Sequence, residues 1–185
     1  MILDCLYQNE YNEKLKEEVK AFCNKNLGQE LFQLDQFKDN FPFFELCWKE
    51  ALRSHSPFML MRSTNQDIEL DDTIIPKGTT IFLTPLLTHL NPDLFPEPEK
   101  FKPERFKDSG IVEGKSPFLP FGSGVHRCLG IQFADMIGKT VVVSLYKHFD
   151  IKLASANQPY PTMNFEKAAG GFPPRSPVLV YIQKK

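Results

Sequence analysis

The chain has 185 residues, with 22 basic and 23 acidic side chains and a formal charge of −1. That length suffices for one domain with a real core, and the near-neutral balance removes the general case for a nucleic-acid or anionic-membrane partner. Hydrophobic residues at 42% and charged ones at 24% are ordinary globular proportions, while 15 prolines and 17 phenylalanines point to rigid, irregular connections rather than long repeats.

Taken in order, the N-terminal "MILDCLYQ" has an apolar stretch interrupted by Asp4, too short for a secretory signal or a membrane anchor. It reads as the end of a helix entered part-way. Tyr11, Leu15, Val19, Phe22 and Cys23 then recur at helical spacing, closed by Asn26 and Gly28. Residues 29–40 read as a loop. Pro42 suits the first turn of a second helix running to about Ser54, broken by Ser56–Pro57. Short β-prone runs follow at 58–63, 67–70 and 79–84, with 75–79, "IPKGT", as a turn between the last two. Residues 91–107 carry four prolines and read as coil without regular structure, yet Phe95, Phe101 and Phe106 require that coil to pack on a surface. A long apolar-rich helix is expected over 130–149, and the tail ends in the strand-like "VLVYI" at 178–182. The four cysteines, Cys5, Cys23, Cys47 and Cys128, form no Cys-x-x-Cys pair and no metal-like spacing to histidine, and so point to a reducing, intracellular compartment.

Two local patterns carry chemistry. In "LPFGSGVHRCLG", residues 119–130, three glycines crowd one thiol. A lone cysteine is ordinarily a small buried hydrophobe. The loop lacks the third glycine of a dinucleotide fingerprint and the Gly-Lys-Ser/Thr ending of a P-loop, and Ser123, set directly between two glycines, does not make the Gly-x-Ser-x-Gly elbow of a serine nucleophile. Glycine lets backbone approach another group closely, and the thiol is available to be what that group binds. The second pattern is Glu50 and Arg53, three apart on one helix face; alone they are a solvated pair contributing roughly 0.2–0.5 kcal/mol. Arg105, in "PERF" within the proline-rich coil, can add a second guanidinium to that carboxylate and pin the coil to the helix.

Glu50-x-x-Arg53, Pro103-Glu104-Arg105-Phe106 and Phe121-x-x-Gly124-x-His126-x-Cys128-x-Gly130 stand in this order, and the chain thereby resembles the cytochrome P-450 family of haem-thiolate monooxygenases; "IPKGT" and 89–106 also read as family sequence. The resemblance implies a mainly α fold with small β-sheets (α+β), the C-terminal haem-binding portion of the family's fold, with residues 1–185 as a single partial domain. It implies haem b (iron protoporphyrin IX) as cofactor and Cys128 as its axial thiolate ligand. Phe121, Gly122, Gly124, His126, Arg127 and Gly130 would form the cofactor-binding loop, with Arg62 and His89 as further contacts to the propionates. Glu50, Arg53 and Arg105 would be a structural network, and no catalytic residue beyond the haem ligand is expected. The family inserts one oxygen atom from O2 into an apolar small molecule, taking electrons from an NADPH-dependent reductase or another donor; no nucleic acid is involved. Phe58, Met59, Leu60 and Met61 would border the substrate.

The sequence departs from the family in three places. His126 stands where the family most often has Arg, Asp72 where it often has Gly, and Ile137 where it often has Glu. Met1 falls near the end of the family's long central helix, so the acid/alcohol pair that this helix offers would lie upstream. The polypeptide is therefore expected to be inactive alone, with apolar surface bare on parts of 10–27 and 130–148. A parent protein at the cytosolic side of the endoplasmic reticulum is expected, though these residues carry no anchor. Two other readings stay open: a haem-binding remnant without turnover, and an interaction module without haem, which leaves the glycines and Cys128 unexplained.

Overall fold

A computed structural model describes residues 1–26, 40–55, 59–115, 117–162 and 175–185. Helix α1 (Ile2–Tyr7) is followed by α2 (Asn9–Lys25), the two hinged at an extended Gln8 whose side-chain amide donates to the Phe101 carbonyl at 2.9 Å. Leu15, Val19 and Phe22 line the buried side of α2, as their spacing requires. The helix stops at Asn26, whose backbone and side-chain amides both donate to the Phe22 carbonyl. Gly28, the 29–39 part of the expected loop, Ser56, Pro57 and Phe58 lie outside the described residues.

Helix α3 (Pro42–His55) has its N-terminus capped from α2: the amides of Phe43 and Phe44 donate to the two carboxylate oxygens of Glu18 at 2.7 and 2.9 Å. An anion at a helix N-terminus satisfies orphan donors and complements the dipole. The main core lies between α1, α2, α3 and the last helix, and includes Cys5, Leu15, Val19, Phe22, Phe41, Phe44, Cys47, Phe101, Val142, Val143 and Tyr146. A smaller one gathers Phe95, Phe106 and Phe118.

Among the described residues the strands form three separate antiparallel pairs rather than one sheet. β1 (Leu60–Ser63) pairs with β4 (Thr80–Leu83), placing Arg62 opposite Ile81. Between them β2 (Ile68–Leu70) pairs with β3 (Thr73–Ile75). The sequence reading lacked β3. Asp71 takes φ 49° and closes a tight hairpin there, a conformation that Asp tolerates better than most residues. "IPKGT" is still a turn, with Gly78 at φ +84° and its amide on the Thr64 carbonyl.

Helix α4 (Pro85–His89) is one short turn that periodicity could not reveal. The proline-rich coil is not wholly irregular, a correction to the reading above: Pro103–Phe106 winds into a 3₁₀ turn, because proline at its first position already has the required φ. Phe95, Phe101 and Phe106 are all buried, so the coil packs down. A second 3₁₀ turn spans Gly124–His126, and α5 runs from Ile131 to His148 with Gly130 as its N-cap. β5 (Phe149–Leu153) then pairs with β6 (Val180–Lys184).

The expectation of bare apolar surface holds for only one of its two segments. On α2 the apolar face is covered, and Tyr146 of α5 donates to Asn12 across that contact at 2.9 Å. On α5, Phe133, Met136, Ile137 and Val141 are exposed. The opposite side of α5 lies against Trp48 of α3. A Cβ at Gly138 would stand 2.2 Å from Trp48 Cη2 and 3.0 and 3.1 Å from Cζ2 and Cζ3, all inside ordinary van der Waals contact. Gly138→Ala should therefore lose about 1–3 kcal/mol as overpacking, read as a lower denaturation midpoint at unchanged m-value; parental stability would show that the ring shifts freely.

Candidate haem-binding site

The centre of the site's support is a carboxylate and a guanidinium with no solvent exposure at all: Glu50 and Arg53 are each 0% exposed. The three-residue spacing on α3 stacks them one above the other. Arg53 Nε donates to Glu50 Oε2 at 2.8 Å and Nη2 to Oε1 at 2.9 Å, a bidentate pair. The remaining Arg53 donors reach backbone: Nη1 to the His89 carbonyl at 2.7 Å, and Nη2 also to Pro98 at 2.8 Å. Its guanidinium lies 5.5 Å from the Phe95 ring centroid. Glu50 is further bound by the Lys102 amide at 2.9 Å and by Arg105 Nε at 3.1 Å. Arg105 in turn donates to the carbonyls of Pro96, Glu97 and Lys100. Five carbonyls of the 89–100 region thus point at two guanidiniums, which is what holds a segment rich in proline, and so poor in N–H donors, in one shape.

His89 continues the chain of bonds. It is fully buried, and its Nδ1 lies 3.1 Å from the Arg53 carbonyl while the Leu119 amide donates to Nε2 at 3.0 Å. Nε2 must therefore be the bare nitrogen and Nδ1 the protonated one. Burial foremost, helped by the nearby Arg53 charge and opposed by the Arg53 carbonyl, pulls the histidine down to about 4. This corrects the expectation that His89 contacts a propionate: both ring nitrogens are taken by backbone, and the residue ties α3 to the start of the glycine-rich loop.

An unfolded His89 takes a proton near 6.5 and the folded one only near 4. Its contribution is complete above pH 6.5 and is lost as pH falls toward 4, about 3 kcal/mol in all. His89→Gln, less stable at neutral pH, should show a flatter stability profile between pH 6.5 and 4 in denaturant titrations; an unaltered slope would assign the acid sensitivity to another group.

The loop itself is built on two left-handed glycines, Gly122 at φ +75° and Gly124 at φ +66°, positions at which a side chain is strained. They fold the loop so that the Cys128 amide donates back to the Phe121 carbonyl at 3.0 Å. Cys128 is an exposed free thiol. Its neighbours on the loop and first helical turn are apolar and equally bare: Val125 is 95% exposed, Leu129 102% and Phe133 64%. Gly122 is buried, and Leu60 of β1 reaches within 3.6 Å of where its Cβ would stand. β1 therefore lies against the loop, and Arg62 is on the same strand face as Leu60, two residues on.

These features fit haem. A soft, exposed sulfur donor with apolar residues near it in sequence, carried on glycine backbone that can approach a flat group, suits an iron porphyrin. Phe121 is half-buried beside it. His126 is exposed, and Arg62 has only the neighbouring Met61 carbonyl, at 2.7 Å, as its described hydrogen-bond partner. Both remain available to an anionic group. Arg127 does not: its Nη2 is 2.6 Å from Glu113 Oε1 and its guanidinium packs on Gly114, which corrects its place in the cofactor-binding set. Gly130 stands at the N-cap of α5, where a Cβ would lie 3.7 Å from Cys128 Sγ. The residues that sequence reading missed are Glu113, Trp48 and Asp135, together with the contact of Leu60 on Gly122; none belongs to a local pattern, so only the folded contacts reveal them. Among the described residues no cluster of His, Cys, Asp and Glu could hold a metal ion, and no helix is long and apolar enough to cross a membrane.

A family model described as cytochrome P450 matches residues 1–179. The chain is 34% identical over 165 residues to taxane 10-beta-hydroxylase of Taxus cuspidata, covering 86% of this chain and 31% of that protein. It is 36% identical over 144 residues to cytochrome P450 4F12 of Homo sapiens, covering 76% and 27%. With cytochrome P450 3A29 of Sus scrofa it shares 32% over 148 residues, covering 79% and 29%. It thus spans less than a third of the length of each of these relatives.

Proposed function

The chain belongs to the cytochrome P450 family, and from that premise we propose that residues 1–185 form a single partial domain, the haem-binding part of a haem-thiolate monooxygenase with Cys128 as the iron ligand. The observation that carries the reading is the exposed Cys128 thiol on a loop of left-handed glycines, with exposed Val125, Leu129 and Phe133 on the same loop and the first helical turn. When bound, the haem would supply the redox chemistry: one atom of O2 enters an apolar molecule, the other leaves as water, and two electrons arrive from a reductase or other donor. The residues of this chain would do the rest. Cys128 would donate thiolate electron density to the metal, and its own amide, held on the Phe121 carbonyl, would keep the loop from drifting. Leu129, Val125, Phe121 and Phe133 would exclude water from the bond. Arg62 and His126 would face the propionates, the histidine offering a ring N–H where the family most often has a guanidinium. Met59, Leu60 and Met61 would border an apolar substrate, and a parent protein would work at the cytosolic face of the endoplasmic reticulum.

The reading without turnover draws on one observation, that Arg127 is committed to Glu113 and leaves a histidine as the loop's free basic group. Titration with haemin tests the common part of both. One equivalent per chain should saturate a Soret band; an interaction module without haem would give only unspecific, unsaturating absorbance.

A further inference from the structure

We infer that Trp48, acting through Asp135 and Lys139, positions the exit of the Cys128 loop, so that α3 grips that loop at both flanks; this rests on the reading of Cys128 as the haem ligand. The entry flank is held by His89, between the Arg53 carbonyl and the Leu119 amide. The exit flank is α5, whose first helical bond, Ala134 N to Gly130 O at 2.8 Å, starts two residues after Cys128. Among the described residues, the first half of this helix has few other protein contacts to fix it. Gln132, Phe133, Ala134, Met136 and Ile137 are all exposed, leaving Ile131, Asp135 and Gly138 as the partly covered positions.

Two of those three positions meet Trp48. Its Nε1 donates to Asp135 Oδ1 at 2.8 Å, and its ring edge rests on Gly138 so closely that no side chain fits between. The other Asp135 oxygen faces Lys139 Nζ at 3.6 Å, and that ammonium, on a side chain only 7% exposed, is also 2.5 Å from Glu45 Oε1. Glu45 and Trp48 are three apart on α3, so one helix face supplies a carboxylate and an indole to an aspartate and a lysine four apart on α5. Trp48 is itself fixed by Phe44, stacked at 17° with centroids 6.4 Å apart and wholly buried in the main core. The indole therefore conveys the position of the core to a helix start that is otherwise bare. A segment with so few buried contacts opens locally without unfolding the protein, which separates positioning of the thiolate from general stability.

Trp48→Phe removes the donor and keeps a ring. Asp135→Leu removes the acceptor, and Asp135→Asn keeps it. The three variants and the parent are loaded with haem, reduced and exposed to carbon monoxide, and amide hydrogen exchange is followed over 128–138. Trp48→Phe and Asp135→Leu should exchange roughly fivefold faster in that segment alone, with part of the red-shifted thiolate Soret band moving to the position of a neutral-thiol form. Asp135→Asn should stay near the parent on both readouts. Parental exchange and spectra in Trp48→Phe and Asp135→Leu would overturn the positioning role, as would acceleration spread evenly over the whole protein. A parent without the red-shifted band would overturn the haem-ligand reading and this inference with it.

Discussion

Arg53→Ala should destabilise the protein by roughly 3–5 kcal/mol and release haem from whatever remains folded. The magnitude is that of breaking a buried ion pair by removing one partner, a large part of the typical stability of a whole domain. The truncation leaves Glu50 at 0% exposure with its bidentate partner gone, and it orphans the carbonyls of His89 and Pro98 that Arg53 satisfied. Arg105 and the Lys102 amide still reach Glu50, so the carboxylate is not stripped of all compensation, which keeps the loss within that range. Arg53→Lys should recover little, because an ammonium cannot present the planar fork that serves Glu50 and two carbonyls at once. Urea midpoints and the haem Soret band of purified variants give both numbers. An Arg53→Ala protein as stable as the parent would mean that this network holds nothing in place.

The second large effect concerns residues 1–185 as a solitary polypeptide: reductase-driven product formation should be absent. On the proposed reading, proton delivery and much of the substrate-side pocket wall would come from other parts of the family's fold, since residues 1–185 span less than a third of the length of the relatives they match. The folded chain adds a physical reason. Val125, Leu129, Phe133, Met136, Ile137 and Val141 present apolar side chains to solvent, and apolar surface of that kind favours association over solubility. A pocket that cannot exclude water loses the dry surroundings on which charge stabilisation depends. Reductant consumed by the haem-loaded polypeptide should therefore end as peroxide rather than product. Joining these residues to the upstream part of a full-length relative should recover both solubility and turnover. Robust hydroxylation by residues 1–185 alone would contradict this.

What could be read from the sequence divides by range. Glu50, Arg53 and the 121–130 loop declare themselves because each pattern lies within a few residues, and α2, α3 and α5 because their apolar positions repeat over several turns. The coil's burial was legible from Phe95, Phe101 and Phe106, since aromatic residues placed in proline-rich sequence need something to cover them. β3, α4 and β5 were not legible: each is five residues or fewer, below the length at which a period can be told from chance. The remaining features join residues far apart in the chain. Glu18 caps a helix 25 residues away, Trp48 meets Asp135 across 87, and Arg127 finds Glu113 on a neighbouring turn. His89 shows the limit most clearly. Residue type made it a propionate donor, and only the positions of the Arg53 carbonyl and the Leu119 amide reveal that its ring is already spent.

The central claim is that Cys128 is the thiolate ligand of a haem iron, and the ferrous–carbonyl spectrum tests it most directly. The haem-loaded parent should give the strongly red-shifted Soret band that thiolate ligation produces, and Cys128→Ala should lose it while Cys5, Cys23 and Cys47 variants keep it. Cys128 alone among the four thiols is exposed; Cys5 and Cys47 are buried in the core and Cys23 is half-buried on α2, away from the glycine loop in sequence. A Cys128→Ala protein that retains the red-shifted band unchanged would show that another residue binds the iron and would contradict the account.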